Sequence, residues 1–180
     1  MIGFHAFTGN DFVSSFFKKG KLSCFKLMEN DSRFKAAFSQ LGSSWELSDD
    51  TYDALQSFVI KLYGTKKVAT VDEARYKIFK KKYDNEEKTV DMSVLPPCES
   101  VFRLHCEREN YLAAIWKRAN MSQPFYPDAV HYGWNTDKSI LWVNDIFPDE
   151  IETILLDSRY DPDDVNDAHG DSEDEELIEE

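Results

Sequence analysis

The sequence predicts a mainly α, bundle-like protein with a short β-hairpin near residues 131–143 and a disordered acidic tail. Three observations carry that prediction. Apolar residues recur at three- and four-residue spacing in successive windows, the mark of helices with one buried face. Those windows are bounded by Asp, Ser or Thr before and Gly after, as helix caps require. Residues 157–180 contain twelve acidic residues and one Arg, a net of −11 out of −13 for the whole chain. So dense a run of like charge cannot bury enough apolar surface to fold. The rest can: 42% of the chain is hydrophobic and 14% aromatic, enough for a core.

In chain order, residues 1–10 read as an extended segment ending at the Thr8-Gly9 turn. Asp11 then stands where a cap belongs, and residues 12–17 read as one or two helical turns. Gly20 interrupts a Lys cluster as a turn or C-cap residue. Helix resumes over 21–29, with Leu22, Phe25 and Met28 on one face. Asp31 caps a helix striped by Phe34, Ala37, Phe38 and Leu41 and stopped by Gly42. Ser48-Asp49-Asp50 opens another, with acids at the positive end of the helix dipole and Tyr52, Leu55, Val59 and Leu62 in register. Thr70 and Glu73 have capping-box spacing for a helix from Val71 to Tyr83, and its Lys77, Lys80, Lys81 and Lys82 read as a solvated C-terminal face. After Pro96-Pro97 comes the longest helix, about Cys98 to Ala119, with Val101, Leu104, His105, Arg108, Leu112, Ile115 and Trp116 as its stripe. Residues 120–135 read as an irregular segment pinned by Phe125, Tyr126, Tyr132 and Trp134. Ile140 to Val143 pairs back on Tyr132 to Trp134 across an Asn135-Thr136-Asp137 turn, and Pro148 starts a last short helix.

Several chemistries find no support. Four histidines share no metal-ligand spacing, and neither a Gly-x-Ser-x-Gly elbow nor a Gly-x-x-x-x-Gly-Lys phosphate loop occurs. Cys24, Cys98 and Cys106 are odd in number and lack C-x-x-C spacing. They read as buried hydrophobes in a reducing compartment, so an intracellular location is expected, nucleus ahead of cytoplasm. No apolar run approaches the ~20 residues of a membrane span. Charge is uneven. Residues 18–82 hold fourteen basic and eight acidic residues, a net of +6. The Lys18-Lys19-Gly20-Lys21 turn can therefore offer ammonium groups and backbone N–H groups to a phosphate chain.

The segment from His5-Ala6-Phe7-Thr8-Gly9-Asn10-Asp11 through Lys18-Lys19-Gly20-Lys21 to Leu27 resembles H-A-L-T-G-C-D-T-x-S-x-F-F-G-K-G-K-x-x-A-L-x-L. That pattern belongs to transposon-associated animal proteins of the PIN-like, flap-endonuclease-like superfamily. Val71 to Tyr76, Leu95-Pro96-Pro97, Asn110 to Arg118 and His131-x-Gly133-Trp134 resemble their downstream part, so the likeness spans about residues 4–143. Two positions depart from it: Lys18 replaces the first turn Gly, and Phe12 replaces a small hydroxyl residue.

The resemblance implies a helix–three-turn–helix. In it Asp11 is one ligand of a Mg or Mn site, and the turn grips duplex backbone, often around a potassium ion. Lys18, Lys19, Gly20, Lys21, Ser23 and Lys26 are the implied nucleic-acid contacts. Two-metal hydrolysis needs several carboxylates around ions ~3.5–4 Å apart. The family takes those acids from segments upstream of this motif, whereas Asp11 lies ten residues after Met1. The expectation is a nuclease remnant that binds DNA or RNA backbone weakly, holds no intrinsic cofactor and does not cleave alone. The alternatives are an acidic-tailed protein-interaction module, docking through the tail, or a nuclease completed by upstream or partner residues. The expected organisation is a helix-turn-helix-like segment at 1–42, a helical region at 43–156 and the tail at 157–180.

Overall fold

A computed structural model describes residues 1–85 and 90–141. It is mainly helical: α1 (Ile2–Phe7), α2 (Lys21–Glu29), α3 (Ser32–Gln40), α4 (Asp49–Leu62), α5 (Val71–Asn85) and α6 (Glu99–Lys117), with short 3-10 turns at Met92–Val94 and Ala129–Tyr132. The Pro148 helix and the tail of residues 157–180 lie outside the described residues.

The expected caps form. Asp31 accepts the Arg33 N–H, and Ser48 accepts the Thr51 N–H. Thr70 Oγ1 accepts the Glu73 N–H, while the Glu73 carboxylate reaches back to the Ala69 N–H at 2.7 Å. These bonds satisfy orphan donors that would otherwise weaken each helix start by about 1 kcal/mol.

One core runs through the first forty residues and the helices after them. Phe7, Phe34, Phe58 and Phe102 are fully buried, and Phe7 meets Phe38, Phe58 and Phe102 edge to face. Each such ring contributes roughly 1.5–3 kcal/mol by leaving water. Segments 1–42 and 43–117 thus share a single interior.

Five expectations are corrected. Residues 2–7 are helix rather than extended chain: α1 lays Gly3, Phe4, Ala6 and Phe7 into the core. Residues 12–17 are not helical: the chain bends and turns there, with Val13 and Phe16 buried and Phe12 and Phe17 exposed. Asp11 therefore caps nothing; Asn10 Oδ1 accepts the Phe12 N–H instead. On α2 the buried residues are Cys24 and Met28, and Leu22 stays exposed. The expected hairpin reduces to one antiparallel bridge, Trp134 to Ile140, with no strand among the described residues. Asn135 folds back to bond Ser139 and Ile140 and tightens the loop, and Trp142 and Val143 of the expected strand lie outside the described residues.

The fifth correction is the face of α6. Its buried residues are Phe102, His105, Cys106, Arg108 through Tyr111, and Leu112 through Ala114. The expected stripe is rotated because polar residues are buried too. Asn110 explains why. Its Oδ1 accepts the Gly42 N–H at 2.8 Å, and its Nδ2 donates to the carbonyls of Ser44 at 3.1 Å and Trp45 at 2.8 Å. The 42–45 turn can close this far because Gly42 has φ +76°, and a Cβ there would lie 2.5 Å from the Ala114 nitrogen. Arg118 covers the same turn, bonding the Gly42 carbonyl and lying 4.4 Å above the Trp45 ring. Nearby, Asp72 Oδ1 accepts the Glu99 N–H at the start of α6, and Arg75 donates to the Pro96 carbonyl.

Replacing Asn110 with Ala leaves three backbone groups without their partner. Urea unfolding is expected to show a loss of about 2–3 kcal/mol. A loss under ~0.5 kcal/mol would mean that water serves the turn equally well.

Candidate nucleic-acid interface

Residues 8–20 form a strap between α1 and α2, anchored at its root and open at its tip. Thr8 Oγ1 donates to the Phe4 carbonyl at 2.8 Å, continuing α1 by one residue. Gly9 has φ +102°, and a Cβ there would collide with Ser15, so the strap doubles back only over glycine. Asn10 Nδ2 donates to the Ala6 carbonyl at 3.1 Å and to Glu109 Oε2 of α6 at 3.4 Å. His105 Nε2 donates to the Phe7 carbonyl at 3.1 Å. Phe16 packs on Phe7, His105 and Tyr63.

Under this anchor lies a buried polar pair. Glu109 is 0% exposed, and its Oε1 lies 3.7 Å from His105 Nδ1. Burial pushes the Glu109 carboxyl up to about 9, against the opposing pull of Arg108 and Asn10. Burial likewise holds His105 down to about 4, against the Phe7 hydrogen bond. Both are neutral at pH 7, so the strap hangs on hydrogen bonds and not on a salt bridge. Neither residue was singled out from sequence as part of a site. His105 lies on the expected apolar stripe, whereas Glu109 four residues on reads as a solvated residue, and only its burial reveals the pair.

Above the anchor, His5, Thr8 to Ser15, Lys19, Gly20, Lys21 and Trp116 line an open cleft of about 700 Å³. Four of the sequence-predicted residues meet there: Asp11, Lys19, Gly20 and Lys21. Lys19 is held with Nζ 4.6 Å over the Tyr63 ring, and Lys21 Nζ donates to His5 Nδ1 at 2.8 Å. The His5 ring in turn stacks on Trp116, at 5.7 Å and 26° between planes. Lys18 stands beside the cleft, its Nζ 5.1 Å over the Phe17 ring. Ser23 and Lys26 are exposed on α2 but do not line the cleft.

The basic turn thus precedes one helix rather than joining two. Gly20 is the N-cap of α2, with φ −68°, and no side chain caps that helix start. Its first-turn N–H groups lack a side-chain acceptor and lie beside the lysines. Lys18, not Gly20, takes the left-handed conformation, with φ +56°. It is the position where the resembling pattern has glycine.

Asp11 is exposed on the cleft wall. Among the described residues no three His, Cys, Asp or Glu side chains group as metal ligands. A two-ion Mg or Mn centre, which needs several carboxylates, does not fit this set. What the cleft offers is cations, backbone donors, hydroxyls and aromatic rings. No protein-family model, curated protein or solved structure matches the chain.

Two outcomes follow from this geometry. The unfolded Glu109 carboxyl ionises near 4.5 and the folded one near 9, so stability falls as pH rises between those values. His105 opposes that slope only below its ordinary 6.5, where the unfolded imidazole takes up a proton that the folded one refuses. Unfolding from pH 6.5 to 8.5 should therefore show the wild type losing roughly 2 kcal/mol, at about 1.4 kcal/mol per pH unit. Glu109→Gln should be flat over the same range; parallel curves would contradict a neutral buried Glu109. Separately, Lys18→Gly removes left-handed strain of about 1–2 kcal/mol and adds a glycine entropy cost of about 0.5–1 kcal/mol. Urea unfolding should find it equal to wild type or slightly more stable, with Lys18→Val less stable by ~1 kcal/mol or more.

Proposed function

We propose that this chain grips the phosphate backbone of nucleic acid weakly and without reading sequence, and that it derives from a PIN-like, structure-specific nuclease. The observation that carries the reading is the convergence of Lys19, Gly20 and Lys21 with Ser14 and Ser15 on one open cleft beside the uncapped start of α2. Ammonium groups attract the phosphates, and hydroxyl and N–H donors fix the oxygens. Lys18 adds charge at the edge. Ser23 and Lys26 extend the basic surface along α2 for a longer strand.

The electrostatics support the same reading. Residues 1–141 hold twenty basic and eighteen acidic residues, a net of +2, and residues 142–180 hold one basic and sixteen acidic, a net of −15. A chain that is acidic overall therefore concentrates its excess of acids in residues 142–180, and Lys19 and Lys21 line the cleft. The acidic tail competes for the lysines at low salt, which keeps the affinity modest.

The family's ancestry in hydrolysis does not carry over to this chain's own chemistry. Asp11 alone cannot hold paired ions, so the cleft binds and does not cut. A second reading, docking of a protein partner, draws on one observation: Met121, Phe125, Tyr126, Val130 and Leu141 are exposed apolar residues in one segment, Phe125 by 75%.

Fluorescence anisotropy with a labelled DNA duplex tests the proposal. With three lysines engaged, the dissociation constant should fall within ~10⁻⁴–10⁻⁶ M, and log K should decline with log salt at a slope of about −2 to −3. Reversing the charge at Lys18, Lys19 and Lys21 should abolish binding. Affinity that ignores both salt and the reversal would overturn the proposal. So would cleavage of a hairpin with Mg²⁺ that Asp11→Ala removes.

A further inference from the structure

Resting on the phosphate-binding reading, we infer that the cleft selects single-stranded nucleic acid by stacking an unpaired base on Phe12. Phe12 is 61% exposed although it lines the cleft. The same strap had core positions for phenylalanine: Phe7 just before it and Phe16 within it are both buried. Phe12 is nonetheless fixed outward. Its N–H donates to Asn10 Oδ1 at 2.9 Å, the Asn10 N–H donates to the Val13 carbonyl at 3.3 Å, and Val13 is buried on the next residue. Asn10 is itself held by Ala6 and Glu109.

A large apolar ring left in water on a pinned stretch of backbone is costly, and a flat group that covers it removes that exposure. The rest of the cleft identifies the covering group. The His5–Trp116 stack supplies a second flat surface, and Lys21 Nζ sits on His5. Lys19 stands on the same lining. Rings interleaved with cations match a strand whose bases are free to stack while its phosphates pair with ammonium groups. In a duplex the bases stack on each other, and Phe12 would find no open base face. An apolar peptide would leave the lysines without counter-charges.

The experiment compares three labelled probes of about 12 nucleotides each. They are an oligo-dT strand, an abasic strand with the same phosphates, and a duplex. At low salt the wild type should bind oligo-dT about tenfold tighter than the other two. Phe12→Ala should remove that preference and leave the abasic and duplex affinities unchanged, while Phe12→Tyr restores it. Circular dichroism checks that each variant keeps its helices, as replacing an exposed ring should allow. Equal affinity for all three probes, or an oligo-dT preference that survives Phe12→Ala, would overturn this inference and leave the phosphate-binding reading standing. No binding to any probe would overturn both.

Discussion

The irregular parts of this protein depend on one constraint: α6 must satisfy their backbone from within the core. A buried turn cannot leave its carbonyls and N–H groups unpaired without losing about 1–3 kcal/mol for each. Here the partners are side chains on consecutive turns of a single helix. His105 serves Phe7, Arg108 serves Gly133 and Leu141, Asn110 serves Gly42, Ser44 and Trp45, and Arg118 serves Gly42 and Ser43. Glu109 completes the row by holding Asn10. Remove α6 and three loops lose their footing together.

That constraint shapes the cleft. The root of the strap is fixed by neutral hydrogen bonds beneath it, so its tip can present charge and rings without needing a core of its own. Lys19 lies over the Tyr63 ring, a contact worth about 0.5–1 kcal/mol at an exposed site, and Lys21 donates a hydrogen bond to His5. Such contacts hold the ammonium groups in place yet yield to a phosphate. Residues of the later segments do structural work instead. Asp72 and Arg75 join α5 to the start of α6, and Tyr111 stacks on Tyr132 at 4.9 Å.

Helices α3, α4 and α5 are legible because their caps are local signals. Asp31, Ser48 and Thr70 act as their spacing indicated. Helix α1 was not legible: its N-cap is Met1, without a side-chain cap bond, and Gly3 within it weakens any helical pattern. The strap differs from the expected helix because Phe12, Val13, Phe16 and Phe17 have the spacing of a helical run on a stretch that bends instead. The face of α6 was misread for a deeper reason. Hydrophobic periodicity cannot find a surface whose buried residues include Glu109 and Asn110, since their partners come from distant loops. Charge marks Lys19 and Lys21 in the sequence, whereas Phe12, His5 and Trp116 join them on one cleft only through the fold.

The most direct measurement is a map of which backbone amides respond when an oligonucleotide is added to isotope-labelled protein, read by two-dimensional NMR. The account predicts that the largest shifts fall on residues 10–21 and on the Trp116 indole, with the lysine-rich end of α5 unmoved. Shifts centred on Lys77 to Lys82, or on residues 121–141, would contradict it.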